Sequence, residues 1–177
     1  HDHGHESNLD FPRGRDTRTI PGMNFRMTEM QAAVGNAQLQ KLDQIVELNR
    51  RNKSILRDYV SLDDRVNFRR ITDEEGDLAD TLIFSFDDAQ LTKKFVEKLS
   101  ETELFTKNVP DAIDWHFSGT WNHMFAKVPA YRDCWQTIWA RSAELLNRSV
   151  SLPVFVNKTE ADMKHDGEIL LGVLRSI

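Results

Sequence analysis

From Thr28 to about Tyr59 the sequence carries one long helical pattern, and no other stretch constrains the fold so strongly. Thr28 can cap a helix, and Gln31, three residues on, completes a capping box. Met27 and Ala32 occupy the positions of a hydrophobic staple. Behind them Met30, Ala33, Val34, Ala37, Leu42, Ile45, Ile55 and Leu56 recur at helical spacing. A helix of about 30 residues is roughly 45 Å long at 1.5 Å per residue. A small domain does not need that length, so the pattern predicts a spine connecting two domains.

After Asp63 and Asp64 the period shortens. Val66, Phe68 and Arg70 alternate, and Thr81–Phe86 (TLIFSF) reads as a strand. The acidic loop Asp73–Asp80 joins the two as a hairpin-like pair. Gln90 to Leu99 is an amphipathic helix with Leu91, Phe95, Val96 and Leu99 on its apolar face. Residues 104–109 are a further strand candidate, Trp135 to Leu146 reads as helix, and Ser149–Val154 as a short strand. Thr159 with Asp162 starts the last helix, whose apolar face is Met163, Ile169, Leu170, Val173 and Leu174. Helices and strands mix without strict alternation, which predicts an α/β chain ending in a small α+β layer domain. The division predicted is 1–60, ending in the connecting helix, and 61–177, the small domain.

Composition limits the function classes. At 177 residues, 40% hydrophobic and 29% charged, the chain can build a core. Its net charge of −5 argues against a nucleic-acid binder, which needs clustered cations. No apolar run approaches the roughly 18 residues of a membrane span. The single cysteine, Cys134, can form no internal disulfide, and a reducing, cytoplasmic setting is the simplest reading. The first residue is histidine, and HDHGHE is no regular affinity tag. The expectation is therefore a chain that begins partway through a longer protein.

Three clusters could carry chemistry. His1, His3 and His5 would share one face of an extended segment and could hold zinc or nickel. A structural site usually draws its ligands from separate elements, so no metal is assigned. Arg13, Arg15, Arg18 and Arg26 form a basic cluster in an acidic chain. Arginine forks suit phosphate or carboxylate, and pairing with Asp10, Asp16 or the acidic loop is the alternative. Trp115, His116, Trp121 and His123 fall within one ten-residue stretch, as a sugar or nucleotide pocket requires and as a core loop with satisfied histidines also allows. No complete catalytic unit is present. The nine lysines sit mostly on polar helix faces, and none looks placed to be desolvated for a Schiff base.

Asp2-His3-Gly4, Gly22-Met23-Asn24-Phe25-Arg26-Met27, Glu29-Met30-Gln31-Ala32-Ala33-Val34-Gly35 and Gln38-Leu39-Gln40-Lys41-Leu42-Asp43 closely resemble the DegT/StrS sugar aminotransferases. Trp115-His116-Phe117, Trp121-Asn122-His123 and Ser151-Leu152-Pro153 with Thr159, Glu160 and Asp162 are similar to later motifs of that family, more loosely. The resemblance implies the C-terminal portion of a fold-type-I enzyme that uses pyridoxal 5'-phosphate and works as a homodimer with shared active sites. It implies transfer of an amino group from an amino acid, glutamate by expectation, to a keto sugar or nucleotide-linked keto sugar. The Schiff-base lysine would then lie upstream of His1. By position, Asn24 resembles the asparagine that reaches a neighbouring subunit's cofactor phosphate, and Arg26 the arginine beside it. His116, His123, Trp115 and Trp121 would face the sugar, His3 the mouth of the site, and Arg15 an acidic or phosphorylated acceptor. Trp121-Asn122 replaces the family's proline-leucine pair, and the loop 8–21 is unusually rich in arginine. Both departures fall where substrate is chosen. The opening DHGH and Ile71–Asp77 look closest to transaminases that make an 8-amino octulosonate for lipopolysaccharide. Two other readings stay open: a sugar dehydratase of the same fold, with histidine in place of the lysine, and a non-catalytic dimerisation or sugar-binding module.

Overall fold

The computed structural model describes residues 26–107, 109–110, 117–121, 125, 127–131 and 133–177, apart from the side chains of residues 135 and 136. The chain divides into two compact units, His1–Leu42 and Asp43–Ile177.

In the first unit the described structure is α1, Glu29–Leu39. The capping box forms as its sequence predicts: the Gln31 amide donates to Thr28 Oγ1 at 3.3 Å, and the Thr28 amide donates to Gln31 Oε1 at 2.9 Å. Met27, the outer half of the expected staple, stays 69% exposed. No residue of α1 is buried, and Met30, Val34 and Leu39 are all open to solvent.

The single long helix expected from Thr28 to Tyr59 is two. At Gln40 and Lys41 the α-helical ladder gives way to a turn, where the Lys41 amide donates to Gln38 O at 2.9 Å, and a second helix, α2, runs Leu42–Val60. The reason lies in burial. Apolar spacing persists through the turn, but α1 buries none of its apolar residues, whereas α2 buries Leu56 and Val60. Helical stability in proteins comes mostly from packing.

Among its described residues the second unit holds a three-stranded antiparallel sheet packed with helices. Strand β1 is Asn67–Phe68, β2 is Thr81–Ser85 and β3 is Ser149–Pro153, in the order β1-β2-β3. Phe68 pairs with Phe84, and Leu82 with Leu152. The strand candidate at 104–109 lies along β3: the Lys107 amide donates to Ser151 O at 2.7 Å, and the Ser151 amide to Val109 O at 3.0 Å. With neighbours on both sides, β3 buries four successive residues, Ser149 to Leu152.

Helix α3, Ala89–Leu99, is started by Asp88, which accepts from the Gln90 amide at 2.8 Å. The helix predicted over 135–146 is broken at Trp139 into α4, Trp135–Ile138, and α5, Ala140–Asn147. Helix α6, Glu160–Arg175, begins with the predicted Thr159–Asp162 box and buries Met163, Leu170, Val173 and Leu174. The core joins α2, β2, β3, α3 and α6 through Leu56, Val60, Phe84, Val150, Phe95 and Leu170, with Phe86 just after β2. Phe84, Phe86 and Phe95 meet pairwise at 5.7 Å between ring centres, in edge-on or tilted geometry that suits the ring quadrupole. Among the described residues no helix is long and apolar enough to cross a membrane.

Candidate functional site

Two of the residues singled out in the sequence fall within the described structure. Arg26 lies two residues before the Thr28 cap, exposed at the entrance to α1. Trp121 follows a 3-10 turn, Ser118–Thr120, closed by the Thr120 hydroxyl donating to Phe117 O at 2.7 Å. Asn24, His3, Arg15, Trp115, His116 and His123 lie outside the described residues, as do His1 and His5.

Around Trp121 the structure adds partners that the sequence reading passed over. The Trp121 indole lies parallel to the Phe125 ring, 7° between planes and 6.4 Å between centres. Phe125 meets Tyr131 edge-on at 5.7 Å and Trp139 at a tilt at 5.0 Å. Successive short turns bring these rings together: the Phe125 amide donates to Trp121 O, Val128 to Phe125 O, and Tyr131 to Val128 O, each at 3.0–3.1 Å. Trp121, Phe125 and Trp139 are half-buried and Tyr131 is exposed. An offset aromatic group of this kind is worth about 0.5–1.5 kcal/mol per pair beyond its buried area. It packs the Trp121 indole against Phe125 and leaves it half-buried. The signal was available: 121 and 125 are one helical turn apart, and 131 and 139 continue the aromatic run.

A second region of concentrated polarity is the face of α2 under the loop that joins β1 to β2. Lys53 is 8% exposed and its Nζ meets Asp77 Oδ2 at 2.5 Å. Burial pushes the Asp77 carboxyl up, but the hydrogen bond and charge of Lys53 outweigh it and hold the group below the ordinary carboxylate range. Asn49 Nδ2 donates to Leu78 O at 3.3 Å, and Arg50 donates to the carbonyls of Asp77 and Glu75. The loop ends at Ala79, held at φ 59° and 2% exposed. A left-handed alanine costs energy and persists because these contacts hold the chain before it, while the Val154 amide donating to Asp80 O at 2.9 Å holds the chain after it.

Whether these residues could anchor a cofactor by a covalent lysine can be tested directly, since all nine lysines are described. Lys53 and Lys158 are each locked to a carboxylate at 2.5 Å. Lys93, Lys98, Lys107 and Lys164 pair at the surface with Glu97, Glu101, Asp80 and Glu160. Lys41, Lys94 and Lys127 are exposed. Lys53 is buried, against the expectation that no lysine is placed to be desolvated, but its amine is held by Asp77. None of the nine is a desolvated amine free for a Schiff base, so the described residues do not fit that part of a pyridoxal-phosphate site.

A likeness to known proteins completes the site's description. Over 82 residues the chain is 32% identical to a GDP-4-keto-6-deoxy-D-mannose 3-dehydratase of Yersinia pseudotuberculosis, a match covering 44% of this chain and 21% of that protein. The fold matches the Helicobacter pylori aminotransferase PseC at TM-score 0.67 and 17% identity, over 99% of this chain and 44% of that one. It also matches Streptococcus pneumoniae Spr1654 in its PLP form at TM-score 0.61 and 15% identity, over 98% and 41%. The chain thus spans less than half the length of these relatives. The sequence profile of one family covers residues 1–170, nearly the whole chain and both of its compact units. The chain belongs to the DegT/DnrJ/EryC1/StrS aminotransferase family.

Proposed function

We propose that the protein is the C-terminal part of a pyridoxal-phosphate-dependent aminotransferase that moves an amino group from an amino acid, glutamate by expectation, to a keto sugar or nucleotide-linked keto sugar. Family membership across residues 1–170 carries this reading. The fold shared with an aminotransferase over 99% of the chain supports it. In this account residues 1–60 close the large domain and connect it, and 61–177 form the small domain. The enzyme is a cytoplasmic homodimer, and its product serves lipopolysaccharide or a related polysaccharide.

When bound, the cofactor supplies an electron sink for moving nitrogen, and the lysine that carries it is not one of the nine described above. The chain's own part is binding and orientation. Asn24 would donate its amide to the cofactor phosphate of the neighbouring subunit, with Arg26 beside it. His116, His123 and Trp115 would contact the sugar with Trp121, whose ring packs on Phe125. His3 would line the mouth, and Arg15 would take an acidic group on the acceptor.

A second reading is a dehydratase of the same fold, favoured by the 82-residue likeness to the 3-dehydratase. A third is a non-catalytic module. Expressed from its full reading frame and given pyridoxal phosphate, glutamate and a nucleotide-linked keto sugar, the protein should form an amino sugar and 2-oxoglutarate in equal amounts. Loss of a sugar hydroxyl without nitrogen gain would instead establish the dehydratase. Failure to retain the cofactor at all would leave the binding module.

A further inference from the structure

Helix α2 presents Arg50, Lys53, Ser54 and Arg57 at spacings of three, four and seven residues, so all four share one face. With Glu74 and Asp77 of the overlying loop they line a cavity of about 170 Å³. That space is ample for several waters at about 30 Å³ each. Its charges do not cancel. Lys53 and Asp77 neutralise one another at 2.5 Å. Arg50 gives Nε and Nη2 to main-chain carbonyls, which engages two of its nitrogens without removing its charge. Arg57, exposed on the same face, carries its guanidinium carbon 5.0 Å from the centre of the Phe68 ring, a cation–π contact that leaves its charge in place. Among the described residues Arg57 forms no ion pair within 4.0 Å, although Glu74 lines the same cavity.

We infer that this cavity is an oxyanion site, built to take a phosphate group on Arg57 with Arg50 and the Ser54 hydroxyl. A phosphate carries enough acceptor oxygens to meet the Arg57 guanidinium and the Ser54 hydroxyl together, with the Arg50 charge beside them, and arginine matches its geometry. The Lys53–Asp77 pair forms the floor and holds the loop over the anion. Glu74 opposes binding, so its charge sets how strongly the site discriminates. This inference uses none of the residues assigned to cofactor or sugar, and it stands whether or not that reading holds.

The test is calorimetric titration of the whole chain with inorganic phosphate and, separately, with uridine diphosphate, chloride replacing the anion in control runs at equal ionic strength. Saturable binding is expected. Arg57→Gln should weaken it about 10-fold or more, the usual worth of a hydrogen bond to a charged group. Glu74→Gln should tighten it several-fold, and both variants should melt as wild type does. Tighter binding of uridine diphosphate than of phosphate, lost in Arg57→Gln, would make the natural ligand a phosphate carried on a larger molecule. Equal binding of the two would make it the free ion. Absence of binding, or binding that survives Arg57→Gln because it belongs elsewhere in the chain, overturns the inference.

Discussion

Helices α1 and α6 begin alike and end in opposite circumstances. Each opens on a threonine that accepts from the amide three residues on, with a side chain returning the bond: Gln31 to Thr28 and Asp162 to Thr159. Helix α6 then buries Met163, Asp166, Gly167, Leu170, Val173 and Leu174, whereas α1 buries nothing. A cap decides where a helix starts, and packing decides how firmly it is held. The contrast extends to the sequence. Residues 22–43, which most closely resemble the family, contain the helix that makes no contribution to the core. Residues 149–174, whose resemblance is looser, supply a strand and a helix of that core. In the proposed enzyme, residues 22–43 would serve the cofactor and the second subunit rather than this core.

Substitutions can break this contrast or sharpen it. The largest effect should come from Phe95→Ala, which empties the centre of the Phe84–Phe86–Phe95 group. Phe95 is fully buried, and the expected loss is about 3–5 kcal/mol by denaturant titration. A loss below about 1 kcal/mol would mean that the second unit is not organised around these rings.

Next is Lys53→Met, which strands Asp77 without its partner and should cost about 3 kcal/mol at neutral pH. The sign with pH follows from the carboxyl. Asp77 is held below its ordinary value in the folded state, so its stabilisation is present above the unfolded value of about 3.9 and lost as pH falls through the folded one. The deficit of the variant should therefore be full at pH 7 and narrow below about pH 4. A deficit independent of pH would assign the loss to packing of the lysine stem.

The smallest effects test the comparison of caps. Thr159→Ala should lower stability by about 1 kcal/mol, the usual worth of an N-cap. Thr28→Ala removes the same bonds from a helix that buries nothing. It should leave the global denaturation midpoint unchanged while reducing helical ellipticity slightly. Equal destabilisation by the two changes would mean that α1 is part of the cooperative core.

The second unit was largely legible in sequence because its signals are local and agree with burial. The alternation in Thr81–Phe86, the Thr159–Asp162 box and the apolar spacing of α6 each describe a surface that is in fact covered. Where the reading failed, local pattern ran beyond its support. Apolar spacing continues from Met30 to Leu56, but burial begins only at Asn49 within α2 and α1 buries nothing, and the one predicted helix is two. The break at Trp139 and the cap at Asp88 needed geometry that spacing does not carry. At the candidate site, the sequence marked Trp121 and missed Phe125, Tyr131 and Trp139, which meet through turns rather than one regular helix. The latch of Lys53 on Asp77 spans 24 residues, and no periodicity links such a pair.

Residue-resolved amide hydrogen exchange on the chain tests the central contrast most directly, because it reports the opening free energy of each element separately. The amides of β2, β3 and α6 should exchange only through global unfolding. Those of Ala32–Leu39 should exchange near the rate of local fraying, at free energies close to zero. Protection of α1 equal to that of β2 would contradict the account, since a helix with no buried residue would then be held as firmly as the core.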